Sequence, residues 1–201
     1  MPISELPSGY VLRRADADPL LIEALADVLI DCVEGGASVG FMLPLSRERA
    51  LEFWRGVLAS ATRGERLVLL AEELATGKIV GTAQLILAMP DNQPHRADVA
   101  KMLVRRSARR RGLAAALLRG LEDVARDAGR TLLVLDTLTG SDAARLYTRL
   151  GWQRVGEIPG YALLPGGGEP RHTTLFYRVL EPNEQRSTPT ADAAEPASAA
   201  E

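Results

Sequence analysis

Apolar positions along this chain recur with two different periods, and the switches between them predict a mixed α+β domain. Tyr10 to Arg14 is a short extended run, after which Asp18 and Pro19 supply a cap and a first helical residue. Leu21, Leu25, Val28 and Cys32 then share one helical face, and Gly35 ends it. A second helix begins after Ser46, carries Ala50, Trp54, Val57 and Ala61 at helical spacing, and stops at Gly64. Leu67 to Glu72 and Ile79 to Leu87 read as strands, joined by a Thr76-Gly77 turn short enough for an antiparallel hairpin.

Asp98 to Val104 adds a third strand to that sheet. Beyond Gly112, a stripe of Ala114, Leu117, Leu118, Leu121, Val124 and Ala128 predicts a helix ending at Gly129. The run Thr131 to Thr137 reads as a strand buried on both faces, so that strand, helix and strand form a right-handed parallel crossover. Ser141 to Leu150, closed by Gly151, is a further helix; Trp152 to Ile158 and His172 to Val179 are closing strands. The expected order is β-α-α-β-β-β-α-β-α-β-β, with one parallel pair at the centre of a mixed sheet. From residue 181 the chain is rich in Ala, Glu, Pro and Ser and poor in large apolar residues. Residues 1–180 are therefore expected to form one domain and residues 181–201 a disordered tail.

Composition narrows the function. With 46% apolar residues, 201 residues suffice for one sizeable core and are too few for two ordinary domains. A net charge of −2 makes the whole molecule no trap for nucleic acid, so anion binding must arise from local clustering. One cysteine, Cys32, and two histidines, His95 and His172, exclude a disulfide framework and leave little for metal ligation, so no metal is expected. No basic region precedes an apolar run at the N-terminus, and no stretch reaches the length of a membrane span. A cytoplasmic location without membrane contact is the expectation.

The densest chemical signal is Arg109-Arg110-Arg111-Gly112-Leu113-Ala114, placed where a strand ends and an Ala/Leu-rich helix begins. A strand turning through glycine into a helix exposes backbone N–H groups at the positive end of the helix dipole, where a pyrophosphate fits. This stretch resembles the acyl-CoA pyrophosphate loop of the GNAT N-acetyltransferase superfamily, Gln/Arg-x-x-Gly-x-Gly/Ala. The resemblance implies a sheet splayed at its central parallel pair, with acetyl-CoA in the cleft. It also implies that the backbone from Lys101 through Met102 and Leu103 to Val104 pairs with the pantetheine arm, an N–H of Leu103 or Val104 facing the oxyanion. Relatives often carry proline at the position of Arg106 and glycine at that of Arg110, so this loop departs at both. Of the five arginines from 105 to 111, at least one is expected to meet the CoA 3′-phosphate.

The resemblance continues through Leu135-Asp136-Thr137, Gly140-Ser141-Asp142-Ala143-Ala144, Leu146-Tyr147 and Leu150-Gly151-Trp152. It implies that Tyr147 protonates the departing CoA thiolate; helical spacing from Ala143 and Leu150 equally suits a core tyrosine. Gly35 to Met42, Arg96 to Val104, Leu135 to Thr137 with Gly140-Ser141, and Arg154 to Ala162 are similar to the tabtoxin-resistance acetyltransferase branch, which acetylates small β-lactam dipeptides or amino acids. Asp98 and Asp136, at opposite ends of neighbouring strands, match acidic residues of that branch. Either carboxylate suits a base taking the proton of an acceptor ammonium; a strand-end residue (Asp98) or a loop-bracing side chain (Asp136) is the plainer alternative. Gly36, Ser38 and Phe41 lie in a glycine-rich loop where this fold builds its acceptor pocket, and the same loop also reads as a simple helix stop.

These residues point to direct acetyl transfer from acetyl-CoA to the amine or hydroxyl of a small molecule, within a ternary complex and without an acyl-enzyme. Partners are then acetyl-CoA and a small acceptor, with a monomer or homodimer as the assembly. The alternatives are a protein or peptide N-acetyltransferase, a CoA-binding sensor without turnover, and an arginine-run nucleic-acid binder. Few aromatics and net acidity weigh against the last.

Overall fold

Side-chain caps set where the helices begin. In the computed structural model, which describes residues 6–15 and 18–181, β1 (Tyr10–Arg14) leads into α1 (Pro19–Glu34), where the Asp18 carboxylate accepts from the Leu20 N–H. Ser46 caps α2 (Arg47–Thr62) in the same way through the Arg49 N–H. There follow β2 (Arg66–Glu73), β3 (Lys78–Ile86) and β4 (Arg96–Val104), then α3 (Leu113–Asp127), β5 (Leu132–Leu138), α4 (Asp142–Arg149), β6 (Gln153–Leu164) and β7 (Gly167–Val179). The element order is the one the sequence predicts, and the fold is a single α+β domain. Among the described residues, no helix is long and apolar enough to cross a membrane.

The seven strands form one sheet in the order β1-β2-β3-β4-β5-β7-β6, antiparallel except between β4 and β5. That parallel pair is short: Arg96, Ala97 and Asp98 meet Leu132, Leu133 and Val134, and pairing stops there although both strands continue. A bulge on β4 accompanies the parting. Between the pairs Gln84↔Ala100 and Thr82↔Leu103, Lys101 and Met102 stand opposite the single residue Ala83, with Lys101 at φ 49°. A bulge bends its strand and re-aims side chains beside it.

Two cores flank the sheet. On one face α3 and α4 bury Leu117, Leu118, Leu121 and Tyr147 against Leu85, Val99, Leu133 and Phe176. On the other, α1 and α2 bury Leu25, Leu29 and Trp54 against Val68, Leu70 and Leu103.

Four expectations shift. β4 begins at Arg96, two residues before Asp98. β5 alternates buried and more open positions instead of being buried on both faces, because only the α3 side is covered along its length. The buried stripe of α3 runs through Leu113, Ala116, Leu117, Leu118, Leu121, Glu122 and Ala125, leaving Val124 half-buried and Ala128 exposed. Glu122 is inside because the Trp152 indole N–H donates to it at 3.1 Å and Arg126 and Arg178 flank it. Finally, β6 and β7 run on to Leu164 and from Gly167, far past the predicted ends, with register shifts that absorb Val155 and the residues around Gly160. The tail expected at residues 181–201 lies, from residue 182 onward, outside the described residues.

Candidate active site

The parting of β4 and β5 opens a cleft of about 600 Å³. β4 lines it with Val99 to Met102; the end of β5 and the start of α4 line it with Leu135 to Leu138, Ser141 to Ala143 and Tyr147. The loop after α1 contributes Gly35 to Gly40, and the β6–β7 hairpin contributes Tyr161, Ala162 and Arg171 to Thr173. Past Asp98 and Val134 the facing edges of β4 and β5 have no strand between them, so main-chain groups of a sheet border the cavity.

At the end of β4, a 3-10 turn over Arg106–Ala108 precedes the arginine loop. Arg109 is extended, while Arg110 (φ 65°) and Gly112 (φ 81°) are left-handed. Such alternation points successive backbone N–H groups to one side, a shape suited to oxyanions. The α3 N-terminus has no side-chain cap and no acid in its first turn, in contrast to the caps supplied by Asp18, Ser46 and Ser141. Its first N–H groups therefore remain available to an anion.

The arginines divide by partner. Arg106 holds α1: its backbone N–H donates to Asp31 at 2.7 Å, and its guanidinium reaches Asp31 at 2.9 Å and Glu34 at 3.4 Å. Burial pushes the Asp31 carboxyl up, but these Arg106 hydrogen bonds and charge hold it below its ordinary value. Arg111 donates to the Tyr10 hydroxyl at 2.6 Å. Arg109 borders the cleft and donates to the Val104 carbonyl at 3.1 Å. Among the described residues neither Arg109 nor exposed Arg110 forms a close ion pair with a carboxylate, Arg110 acting on Asp142 only at longer range, so both guanidinium groups can still turn to a ligand.

Tyr147 and Asp136 share the cleft wall. Tyr147 is almost wholly buried, its ring 5.9 Å from that of Trp152 and 5.8 Å from that of Phe176. Burial, aided by the charge of Asp136, pushes its phenol up to about 12, so it stays protonated at any working pH. The Thr173 hydroxyl sits 3.0 Å from Asp136 Oδ2 and 2.9 Å from the Thr137 carbonyl, fixing the carboxylate on β5 just beyond its last pair with β4. Asp98 does not border the cleft; it is half-buried and ion-paired to Arg96 at 2.6 Å. Burial raises its carboxyl against the pull of Arg96, and Asp136 adds to the rise.

Other predicted residues scatter around this centre. Gly36, Ser38 and Met102 border the cleft. Phe41 does not: it meets Phe53 of α2 edge-on at 5.1 Å with Arg49 above it. The Leu103 side chain is buried against α1 and α2, and that of Leu113 against the opposite face of the sheet. Val104 accepts at its carbonyl from Cys32 Sγ at 3.4 Å as well as from Arg109, and burial holds the Cys32 thiol above its ordinary value. Ala114 is half-buried in the first turn of α3. Tyr161, Arg171, His172 and Thr173 border the cleft without having been assigned a role from sequence, and so does the side chain of Lys101, for which only backbone pairing with the donor was expected. Only the bulge and the long hairpin bring them there. Among the described residues, no group of three or more His, Cys, Asp or Glu is placed to hold a metal ion.

Comparison with known proteins agrees with this geometry. The profile of the Acetyltransferase (GNAT) family matches residues 25–152. An uncharacterized N-acetyltransferase from the hisH-hisA intergenic region of Azospirillum brasilense is 35% identical over 114 residues, covering 56% of this chain and 65% of that protein, so the chain spans just under two thirds of that relative's length. In structure, the chain resembles a Salmonella typhimurium protein described as an acetyltransferase, yncA, solved with its cofactor acetyl-CoA. The TM-score is 0.70 at 21% identity, over 92% of this chain and all of that one (100%). It also resembles a ribosomal-protein-S5-alanine acetyltransferase from Vibrio fischeri, with a TM-score of 0.72 at 12% identity over 87% of this chain and 94% of that one.

Proposed function

This chain belongs to the acetyltransferase (GNAT) family, and from that premise we propose that it transfers an acetyl group from acetyl-CoA to the amine of a small molecule. One observation carries the reading: an uncapped helix N-terminus, entered through Gly112 at φ 81°, opens beside the gap between β4 and β5. The group fits the residues present. Backbone N–H groups from Arg110 to Ala114 would hold the pyrophosphate, Arg109 and Arg110 would meet remaining phosphate charge, and the free edge of β4 at Met102 to Val104 would pair with the pantetheine amides. Acetyl-CoA supplies an activated thioester; this chain's residues supply positioning and protons.

Asp136 stands in the cleft wall, held by Thr173, and accepts the proton of the acceptor ammonium directly or through water. Asp98, outside the cleft lining and tied to Arg96, assists by charge or as a relay. A backbone N–H at the β4 bulge faces the carbonyl oxygen as it gains charge. Tyr147, protonated and buried in the same wall, gives its proton to the departing sulfur. The amine becomes an amide, the thiolate becomes a thiol, and no acyl-enzyme is required.

A small acceptor suits the cleft because the β6–β7 hairpin walls its third side, leaving less of an open groove for a peptide. Gly36 and Ser38 line the loop side of that pocket, while Phe41 lies outside the lining, edge-on to Phe53. The four segments similar to the tabtoxin-resistance branch support an acceptor that is amino-acid-derived or antibiotic-like. The deciding experiment incubates the purified protein with acetyl-CoA and a panel of amines, amino acids and β-lactam dipeptides, with products detected by mass. Acetylated products support the reading. CoA binding without any product supports a sensor instead.

A further inference from the structure

We propose that the acceptor carries a carboxylate beside its amine, and that Lys101 receives the carboxylate while Asp136 receives the amine. The inference rests on the transfer reading above and deepens it. It starts from the bulge. Lys101 is held at φ 49°, a conformation that L residues other than glycine, asparagine and aspartate seldom adopt, and it is one of two residues facing the single Ala83. The bulge interrupts the alternation of β4, and Lys101 borders the cleft on the side of α2, its Nζ 5.5 Å from the centre of the Phe53 ring.

That ammonium is poorly compensated. No carboxylate forms an ion pair with it among the described residues, and Phe53 offers only a ring face. Burial lowers its pKa, the nearby Arg66 lowers it further, and Asp136 is the group that opposes them. A half-buried cation without an anion is costly, and an anionic ligand removes the cost. Arg171 and His172, exposed on the hairpin, sit on the rim of the same space.

Asp136 supplies the opposite sign. Its charge acts on Lys101, Asp98 and Tyr147 alike. An anchored carboxylate and an ammonium without an ion-pair partner among the described residues, both on residues lining one cavity, complement a zwitterion; a simple amine or a polyamine leaves Lys101 unpaired and adds repulsion. The phosphates of the donor do not need Lys101, because the uncapped amides lie past Val104 on the loop into α3.

The test compares free amino acids with their α-carboxamides of the same side chain, using the full chain, acetyl-CoA and thiol release as readout. The expected result is a preference for the acid in kcat/KM of about tenfold or more. Lys101→Gln brings the acid-to-amide ratio toward one, chiefly through the KM of the acid, and Lys101→Arg, which keeps the charge, retains it. Thermal melting of each variant reports whether the bulge survives. Equal or better turnover of the amides by the unaltered protein overturns the inference while leaving acetyl transfer intact. An undiminished ratio in Lys101→Gln overturns the role of Lys101. Failure of the underlying reading looks different: neither acids nor amides release thiol, and both proposals fall.

Discussion

Tyr147 shows how burial creates a chemical role from an ordinary side chain. Its phenol, pushed from 10.0 to about 12, remains a proton donor where an exposed tyrosine would begin to ionise. Tyr147→Phe removes that proton and keeps the ring contacts with Trp152 and Phe176, so kcat should fall by about 100-fold or more while acetyl-CoA binding stays nearly unchanged. Steady-state kinetics with a parallel binding titration checks this; an unchanged rate removes the acid role. The same shift has a consequence for stability. Because the folded protein holds this proton more tightly than the unfolded chain, the stabilisation is complete below pH 10 and is lost as pH rises toward 12, by up to about 3 kcal/mol. Denaturation curves across that window should show a steeper alkaline loss for the native chain than for Tyr147→Phe. The two carboxylates should separate as well. Asp136 borders the cleft and Asp98 is paired to Arg96, so Asp136→Asn should cost more activity, about 100-fold, than Asp98→Asn. Full activity in both variants would place proton removal elsewhere.

Elements rather than single residues decide the width of the cleft. β3 lies between β2 and β4, and at Gly81 it passes so close to α3 that an added Cβ would stand 3.0 Å from the Leu103 carbonyl and 3.2 Å from Leu117 Cδ1. Gly81→Ala should therefore push β4 or α3 outward beside the bulge and destabilise the fold by about 1–3 kcal/mol, measured by urea unfolding. An unaltered midpoint would show that the sheet and helix have slack there. This is also the scale at which the sequence was most and least legible. Caps and stops at Asp18, Gly35, Ser46 and Ser141 are local signals, so the helices could be read directly. The β6–β7 extension could not, because register shifts at Val155 and around Ala162 break the two-residue period that marks a strand. Glu122 inside α3 was invisible for another reason: the Trp152 and Arg178 groups that make its burial tolerable come from distant parts of the chain. Lys101 was in plain view within an extended run, but only the bulge, a property of the β3–β4 pair, brings it to the cleft.

For the molecule as a whole, two cores on opposite faces hold a sheet whose one weak seam is the β4–β5 pair. The seam is three residue pairs long, and the strong antiparallel neighbours on each side let it open without loosening the rest. Net charge is −2, yet Arg109 and Arg110 concentrate positive charge at the mouth of the seam, so anion capture is local. The arginine loop was legible from its glycine and its place between strand and helix. Its deviation at Arg110 acquires a physical meaning in the structure, since arginine there takes the left-handed backbone at φ 65° that glycine adopts freely. The central claim is that the seam and the uncapped end of α3 together bind acetyl-CoA. Isothermal titration of acetyl-CoA into the protein tests it most directly. Saturable heat with one donor per chain, weakening as salt is raised, is the predicted result; no heat at any donor concentration tried would contradict it.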